Sequence, residues 1–207
     1  MKKISLFSLI IFTSTYLSNC STGKSLDFKD GDIIFQESQS SQCKAVQMAT
    51  KSRYSHCGII FTMNGEYYVY EAVQPVTVTP FKNWIARGKN NHYVVKRLKN
   101  SESILTDENL QKMKNEGAKF YGKDYDLTFQ WSDENIYCSE LVWKIYKRAL
   151  NIEVGNLQKL GNFDLSSDIV KTKLRERYGE NIPFDEKVIS PESIFECDLL
   201  ETIANEN

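Results

Sequence analysis

The chain has 207 residues, of which 41% are apolar and 26% charged. That is the make-up of a globular protein with a real core, one domain by length and two at most. A formal net charge of −1 excludes any argument from overall charge for a nucleic-acid partner or an acidic surface.

The first twenty residues differ from the rest. Lys2 and Lys3 precede an apolar run from Ile4 to Leu17. A basic start and an apolar stretch too short to span a bilayer comfortably make a secretory signal pattern. The run ends in Leu17-Ser18-Asn19-Cys20, which resembles a bacterial lipobox, where a Leu precedes by three residues a Cys that is acylated after cleavage. Asn19 departs from the small residue usual before that Cys, and a cleaved signal peptide with an incidental Cys is the alternative. The expected division is a signal peptide over 1–19, a lipid-anchor linker over 20–27 starting at Cys20, and one folded domain over 28–207. The expected location is the cell envelope, held to a membrane by the anchor.

Within the folded part, Asp30-Gly31 signals a turn and Asp32 to Phe35 a strand. Ser40 to Lys51 predicts a helix. His56 to Thr62 and Tyr67 to Ala72 predict two strands joined by Asn64-Gly65, the strongest short hairpin signal. Val76 to Thr79 predicts a strand, Phe81 to Arg87 a short helix stopped at Gly88, and Tyr93 to Leu98 another strand. Thr106 caps an expected helix that ends near Gly122. Cys138 to Leu150 is the clearest helix, with Leu141, Val142, Ile145, Tyr146, Ala149 and Leu150 at helical spacing. Ser166 to Tyr178 predicts a charged helix, and Val188 to Pro191 a strand entering a last helix. Hairpin strands early, with helices around them, predict an α+β fold with a mostly antiparallel sheet.

The five cysteines are Cys20, Cys43, Cys57, Cys138 and Cys197. They contain no C-x-x-C pair, so no zinc site is indicated. A domain of this size has core enough to fold without a disulfide framework, which leaves thiols free for chemistry. Cys138 stands at the first turn of its helix, where unpaired N–H groups and the helix dipole favour a thiolate. By position alone burial is the better reading, because Cys138 shares the apolar stripe of Leu141 and Val142.

His56 opens a strand after a polar loop, where it can face a helix start and exchange a proton with a thiol. His92, in Asn90-Asn91-His92, reads as a surface histidine. A two-residue turn at Asn64-Gly65 sets Gly58 opposite Glu71 and His56 opposite position 73. Glu71 then lies diagonally from His56 on one face, within reach of a long side chain. It is placed to hold the imidazole as the third member of a triad does. Gly58 is expected to leave open space beside it.

Four segments now form a pattern: Asp30-Gly31-Asp32-Ile33-Ile34-Phe35, Tyr54-Ser55-His56-Cys57-Gly58-Ile59, Tyr70-Glu71-Ala72 and Tyr137-Cys138-Ser139-Glu140-Leu141-Val142. In this order they resemble the YiiX-like branch of the NlpC/p60 superfamily of papain-like cysteine hydrolases. The superfamily's usual order is Cys first and His later. The reversed order here resembles the circularly permuted members, which include the lecithin retinol acyltransferase-like enzymes. The resemblance spans Phe28 to Leu150 and implies a circularly permuted papain-like fold.

It also implies Cys138 as nucleophile, His56 as base and Glu71 as the polar third residue. Gly122-Lys123-Asp124-Tyr125 resembles the family's Gly-x-Pro-Tyr segment, with Asp124 in place of the Pro. Tyr125 is thereby a candidate to orient substrate or complete an oxyanion site with the Cys138 N–H, an aromatic core residue being the alternative. The implied activity is amide cleavage in a peptide-like substrate, with no metal and no cofactor; export and a lipid anchor would make cell-wall peptides the amides at hand. Acyl transfer or thioester and lipid-ester cleavage on the same scaffold is the first alternative. A lipid-anchored binding module is the second. Residues 166–187 match no motif. A solvated charged helix is expected there, with a lid or groove rim as the alternative.

Overall fold

The structure, a computed structural model, describes residues 27–206. The expected signal peptide over 1–19 and the expected linker over 20–27, with Cys20, fall on residues outside the described ones save for residue 27. Phe28 is already part of the core, buried with its ring against Tyr67 and Phe81.

Eight strands are present among the described residues: β1 (Ile33–Ser38), β2 (His56–Met63), β3 (Glu66–Glu71), β4 (Thr77–Pro80), β5 (Gly88–Leu98), β6 (Gln158–Lys159), β7 (Lys187–Val188) and β8 (Leu200–Glu206). Six of them form one sheet in the order β4-β3-β2-β1-β5-β8, antiparallel at every pairing. β6 and β7 make a separate small ribbon. The helices are α1 (Ser41–Thr50), α2 (Phe81–Ala86), α3 (Ser101–Ile104), α4 (Asp107–Ala118), α5 (Cys138–Leu150), α6 (Asp168–Tyr178) and α7 (Pro191–Phe195). This is the expected α+β arrangement with an antiparallel sheet.

The β2–β3 hairpin sets the register on which the site depends. Asn64 and Gly65 have φ of 51° and 79°, the pair of positive values that a tight type I′ turn requires. Ile59 therefore lies opposite Tyr70 and Met63 opposite Glu66, as the two-residue turn predicts. Gly58 differs from expectation. A Cβ there would lie 2.5 Å from Val69 Cγ1 and 2.8 Å from the Tyr70 carbonyl oxygen. Glycine is needed because the strands close tightly at that point, not because space is left open.

The sheet buries both faces. On one, Ile33, Phe35, Cys57 and Ile59 pack with Leu141, Val142 and Ile145 of α5. On the other, Ile34, Ile60, Val69 and Val95 pack with Trp84 of α2. Each such side chain contributes about 1.5–3 kcal/mol when fully buried, so α5 is fixed firmly against β2. At the sheet's centre, Asp32 is fully buried and holds Arg97 of β5 through two bonds of 2.7 Å. The Gly-Asp turn motif thus has a structural task.

Local signals set most helix ends. Ser40 Oγ accepts from the Cys43 N–H at 3.1 Å and Thr106 Oγ1 from the Asn109 N–H at 3.3 Å, capping α1 and α4. α4 stops at Ala118, short of Gly122. β5 begins at Gly88, five residues before the expected Tyr93, and buries His92 at 5% exposure rather than leaving it on the surface. α6 is not a solvated helix: Val170 and Leu174 are buried and the helix packs on α1.

Candidate active site

Cys138 is the first residue of α5, preceded by an N-cap, Tyr137, that makes no side-chain cap. Its neighbours are tied to the strand that enters α7. Tyr137 Oη accepts from the Ile189 N–H at 3.1 Å, and Ser139 Oγ donates to the Ile189 carbonyl at 2.8 Å. With Leu141 and Val142 buried behind it, the thiol is held in one place and is 4% exposed.

His56 begins β2 at the sheet end nearest to α5. Its Nε2 lies 2.6 Å from Glu71 Oε2. Trp84 lies flat behind the ring, centroids 5.9 Å apart and planes 25° apart. Glu71 is fully buried at the end of β3. Its other oxygen accepts from Thr79 Oγ1 at 2.5 Å and from Arg87 Nη2. The second ring nitrogen of His56 is left for the Cys138 thiol, with which it shares a hydrogen bond. The three residues singled out in the sequence are thus brought together.

The electrostatics favour a charge-separated pair. Cys138 is held well below a free thiol by a hydrogen bond from the Cys57 thiol, and by a hydrogen bond and the positive charge of His56, against burial. Burial alone would lower His56, but its bonds to Cys138 and Glu71 outweigh it and push the imidazole up to about 10. Burial would raise Glu71, yet His56, Thr79 and Arg87 bring it down to about 2. Cys57 moves the opposite way, well up, through burial and the neighbouring Cys138. These shifts favour a thiolate beside an imidazolium, with the Glu71 carboxylate beyond it.

Tyr125 also stands beside Cys138, its Oη accepting from Gln42 Nε2 at 3.2 Å. An apolar cavity runs from these residues between α1 and α6, past Ala45, Ala49, Phe163 and Leu174. Several of these participants had no signal in the sequence. Thr79, Arg87 and Trp84 belong to elements that meet β2 and β3 only through the fold. Cys57, next to His56 on the strand, was legible only as one of five cysteines and not as a partner of Cys138. The α6 wall lay in a segment without a motif.

A reactive thiol at a helix start, packed on an antiparallel sheet that supplies histidine and carboxylate from earlier strands, defines a permuted papain-like cysteine hydrolase. The chain belongs to the C92 family of permuted papain-like amidases, YaeF/YiiX, whose family model matches residues 27–204. The match reaches well past Leu150, so the unmatched segment is part of the family's domain. The chain is 51% identical over 176 residues to the uncharacterized protein YiiX of Escherichia coli strain K12, covering 85% of this chain and 86% of that one. A crystal structure of YiiX from Escherichia coli O157:H7, described as a metalloprotein, superposes with a TM-score of 0.81 at 50% identity. It covers 86% of this chain and 97% of its own.

Among the described residues no group of three or more His, Cys, Asp or Glu side chains is arranged to hold a metal ion. Even an open catalytic site takes about three protein ligands, so the described donors do not fit one and no step below runs through a metal.

Proposed function

We propose that this protein hydrolyses an amide bond in a peptide-like substrate through Cys138, His56 and Glu71. The observation that carries this reading is the continuous chain from the Cys138 thiol through the His56 ring to Glu71 Oε2 at 2.6 Å. The Cys138 thiolate attacks the carbonyl carbon and the oxygen becomes an oxyanion. We assign the Cys138 N–H and the Tyr125 hydroxyl as the donors that receive it, and one such donor contributes about 2.7–4 kcal/mol. His56 gives its proton to the leaving amine as the C–N bond breaks. Water, deprotonated by His56, then splits the thioester and restores the thiolate. Glu71 keeps the imidazole oriented and stabilises its charge.

Iodoacetamide labelling followed by mass spectrometry tests this. Cys138 is expected to label faster than Cys43 and Cys197, and His56→Ala to slow that labelling. Equal rates at all three thiols would sink the nucleophile assignment.

Export and anchoring through Cys20 form a further part of the proposal. It rests on the Leu17-Ser18-Asn19-Cys20 pattern. Placement in the cell envelope makes cell-wall peptides the substrates at hand. Cys20→Ala is expected to release the protein from membranes or block its processing. Unchanged membrane association and unchanged mature mass would count against the anchor.

A further inference from the structure

Cys57 has no step in the proposed hydrolysis, yet it lies directly against the nucleophile. It is fully buried. Side chains alternate along β2, so His56 meets Trp84 and Glu71 while Cys57 joins Ile33, Phe35 and Ile59 on the face that α5 covers. Helix α5 starts above it with Cys138. The Cys57 thiol and the Cys57 backbone N–H both donate to the Cys138 sulfur. A buried cysteine is ordinarily a small apolar filler. This one sets a second sulfur against a sulfur that carries charge.

The contact affects the two thiols in opposite ways. Cys138 is held low, while burial and the neighbouring Cys138 push Cys57 up. Cys57 therefore stays protonated, and a protonated thiol is a poor nucleophile. Once an oxidant has taken the charge from Cys138, part of that restraint on Cys57 is removed. Access is ordered in the same sense. Cys138 lines an open cavity at 4% exposure, and Cys57 lies behind it with none. A small oxidant meets Cys138 first.

We propose that Cys57 is the resolving thiol of Cys138, and that hydroperoxides convert the pair into a reversible disulfide that closes Cys138 to substrate. This deepens the proposed function and rests on its reactive Cys138 thiolate. The thiolate attacks one peroxide oxygen and the O–O bond breaks. A sulfenic acid forms, and the departing hydroxide leaves as water with the proton of His56. The Cys57 sulfur then attacks the Cys138 sulfur and the S–O bond breaks. The second hydroxide takes the Cys57 proton and leaves as water. The two sulfurs give up two electrons, which reduce one hydrogen peroxide to two waters. A dithiol returns the electrons and restores both thiols. Without Cys57 the sulfenic acid is open to further oxidation to the sulfinic acid, which a dithiol does not reverse.

The test is hydrogen peroxide treatment of the protein, followed by iodoacetamide and peptide mass spectrometry. The protein is expected to lose about 2 Da, with the Cys57 and Cys138 peptides joined. Labelling of Cys138 is expected to disappear with oxidation and to return after dithiothreitol. Cys57→Ala is expected instead to gain about 32 Da at Cys138, with no labelling restored by dithiothreitol. Should that variant fold poorly, the linkage in the unaltered protein still decides. A sulfinic acid at Cys138 beside a free Cys57 in the unaltered protein would overturn the proposal. So would a disulfide from Cys138 to Cys43 or Cys197, or a Cys138 that peroxide leaves unchanged.

Labelling before oxidation, and turnover of cell-wall peptides, separate the two levels. Selective labelling of Cys138 with no Cys57–Cys138 disulfide after peroxide upholds the nucleophile and defeats the resolving thiol. A reversible Cys57–Cys138 disulfide in a protein that cleaves no peptide amide upholds the thiol pair and defeats the hydrolysis.

Discussion

Glu71 engages His56 through one carboxylate oxygen, 2.6 Å from Nε2, and is itself fixed by Thr79 and Arg87 through the other. The carboxylate is therefore committed on both sides and cannot turn away from the imidazole. Glu71→Gln keeps the side chain's shape but removes the charge that sustains the imidazolium. Turnover is expected to fall by about 10²–10⁴. The upper limb of the pH–rate profile is expected to move down by more than one unit as His56 loses its anionic partner. An unchanged profile would show that Glu71 acts only in packing.

The pH dependence of labelling follows from the same pair. Cys138 is reactive once it is ionised, and its thiolate is held well below the usual thiol range. His56 keeps its proton up to about 10. Iodoacetamide should thus label Cys138 readily at pH 6 to 7, where a free thiol of pKa about 8.5 is largely protonated. His56→Ala should shift the onset of labelling upward. Hydrolysis, which also needs the imidazolium as acid, is expected to decline as pH approaches 10.

Stability should change with pH at both ends, with opposite signs. His56 rises from 6.5 unfolded to about 10 folded, so its contribution is complete below 6.5 and is lost as pH climbs through 10. Glu71 drops from 4.5 to about 2, so its contribution is complete above 4.5 and is lost as pH falls through 2. Between pH 6.5 and 9.0 the loss at His56 is offset by Cys138, whose lowered thiol gives a contribution that grows as pH rises to 9.0, so urea midpoints are expected to decline below pH 4.5 and above about pH 9. His56→Ala should flatten the alkaline decline, and Glu71→Gln the acid one.

Much of this site was legible because it sits on strong local signals. Asn64-Gly65 determined a hairpin register, and that register placed His56 diagonal to Glu71. The apolar stripe of α5 placed Cys138 at a helix start. What escaped notice depends on contacts between distant segments. Arg87 and Thr79 reach Glu71 only after α2 and β4 fold beside β3. β8 has the sequence Leu-Glu-Thr-Ile-Ala-Asn-Glu and lies at a sheet edge with only Leu200 fully buried. It lacks the alternation that marks a half-buried strand. α6 looked solvated because Asp168, Lys171, Arg175 and Glu176 dominate its composition, while Val170 and Leu174 alone turn it toward α1. His92 was misjudged because its polar neighbours Asn90 and Asn91 suggested a loop, whereas β5 continues through them.

The buried ion pair at the sheet's centre gives a stability prediction away from the site. Asp32 is fully buried and Arg97 is 12% exposed at the side chain. Arg97→Met leaves the carboxylate without its main partner, and breaking such a pair costs about 3–5 kcal/mol. Lys112→Met, at a pair with 50% and 80% exposed side chains, should change stability by no more than about 1 kcal/mol. Urea unfolding of both variants checks the contrast. Equal effects would mean that the central pair is no more important than a surface one.

Gly58 offers a test that links packing to reactivity. Gly58→Ala puts a methyl group 2.5 Å from Val69 Cγ1 and 2.8 Å from the Tyr70 carbonyl oxygen. The backbone oxygen cannot rotate aside, so β2 and β3 must separate where His56 meets Glu71. Overpacking of this kind costs about 1–3 kcal/mol. Because the displacement falls on the imidazole–carboxylate contact, Cys138 labelling should slow beyond what the loss of stability explains. Gly65→Ala is the matched control. No atom lies within 4 Å of its added Cβ, but its φ is 79°, so the cost is about 1 kcal/mol of backbone strain at the far end of the hairpin. Its labelling rate at native conditions should match that of the unaltered protein. Slow labelling in both variants would mean that reactivity tracks general stability and not the spacing of His56 from Glu71.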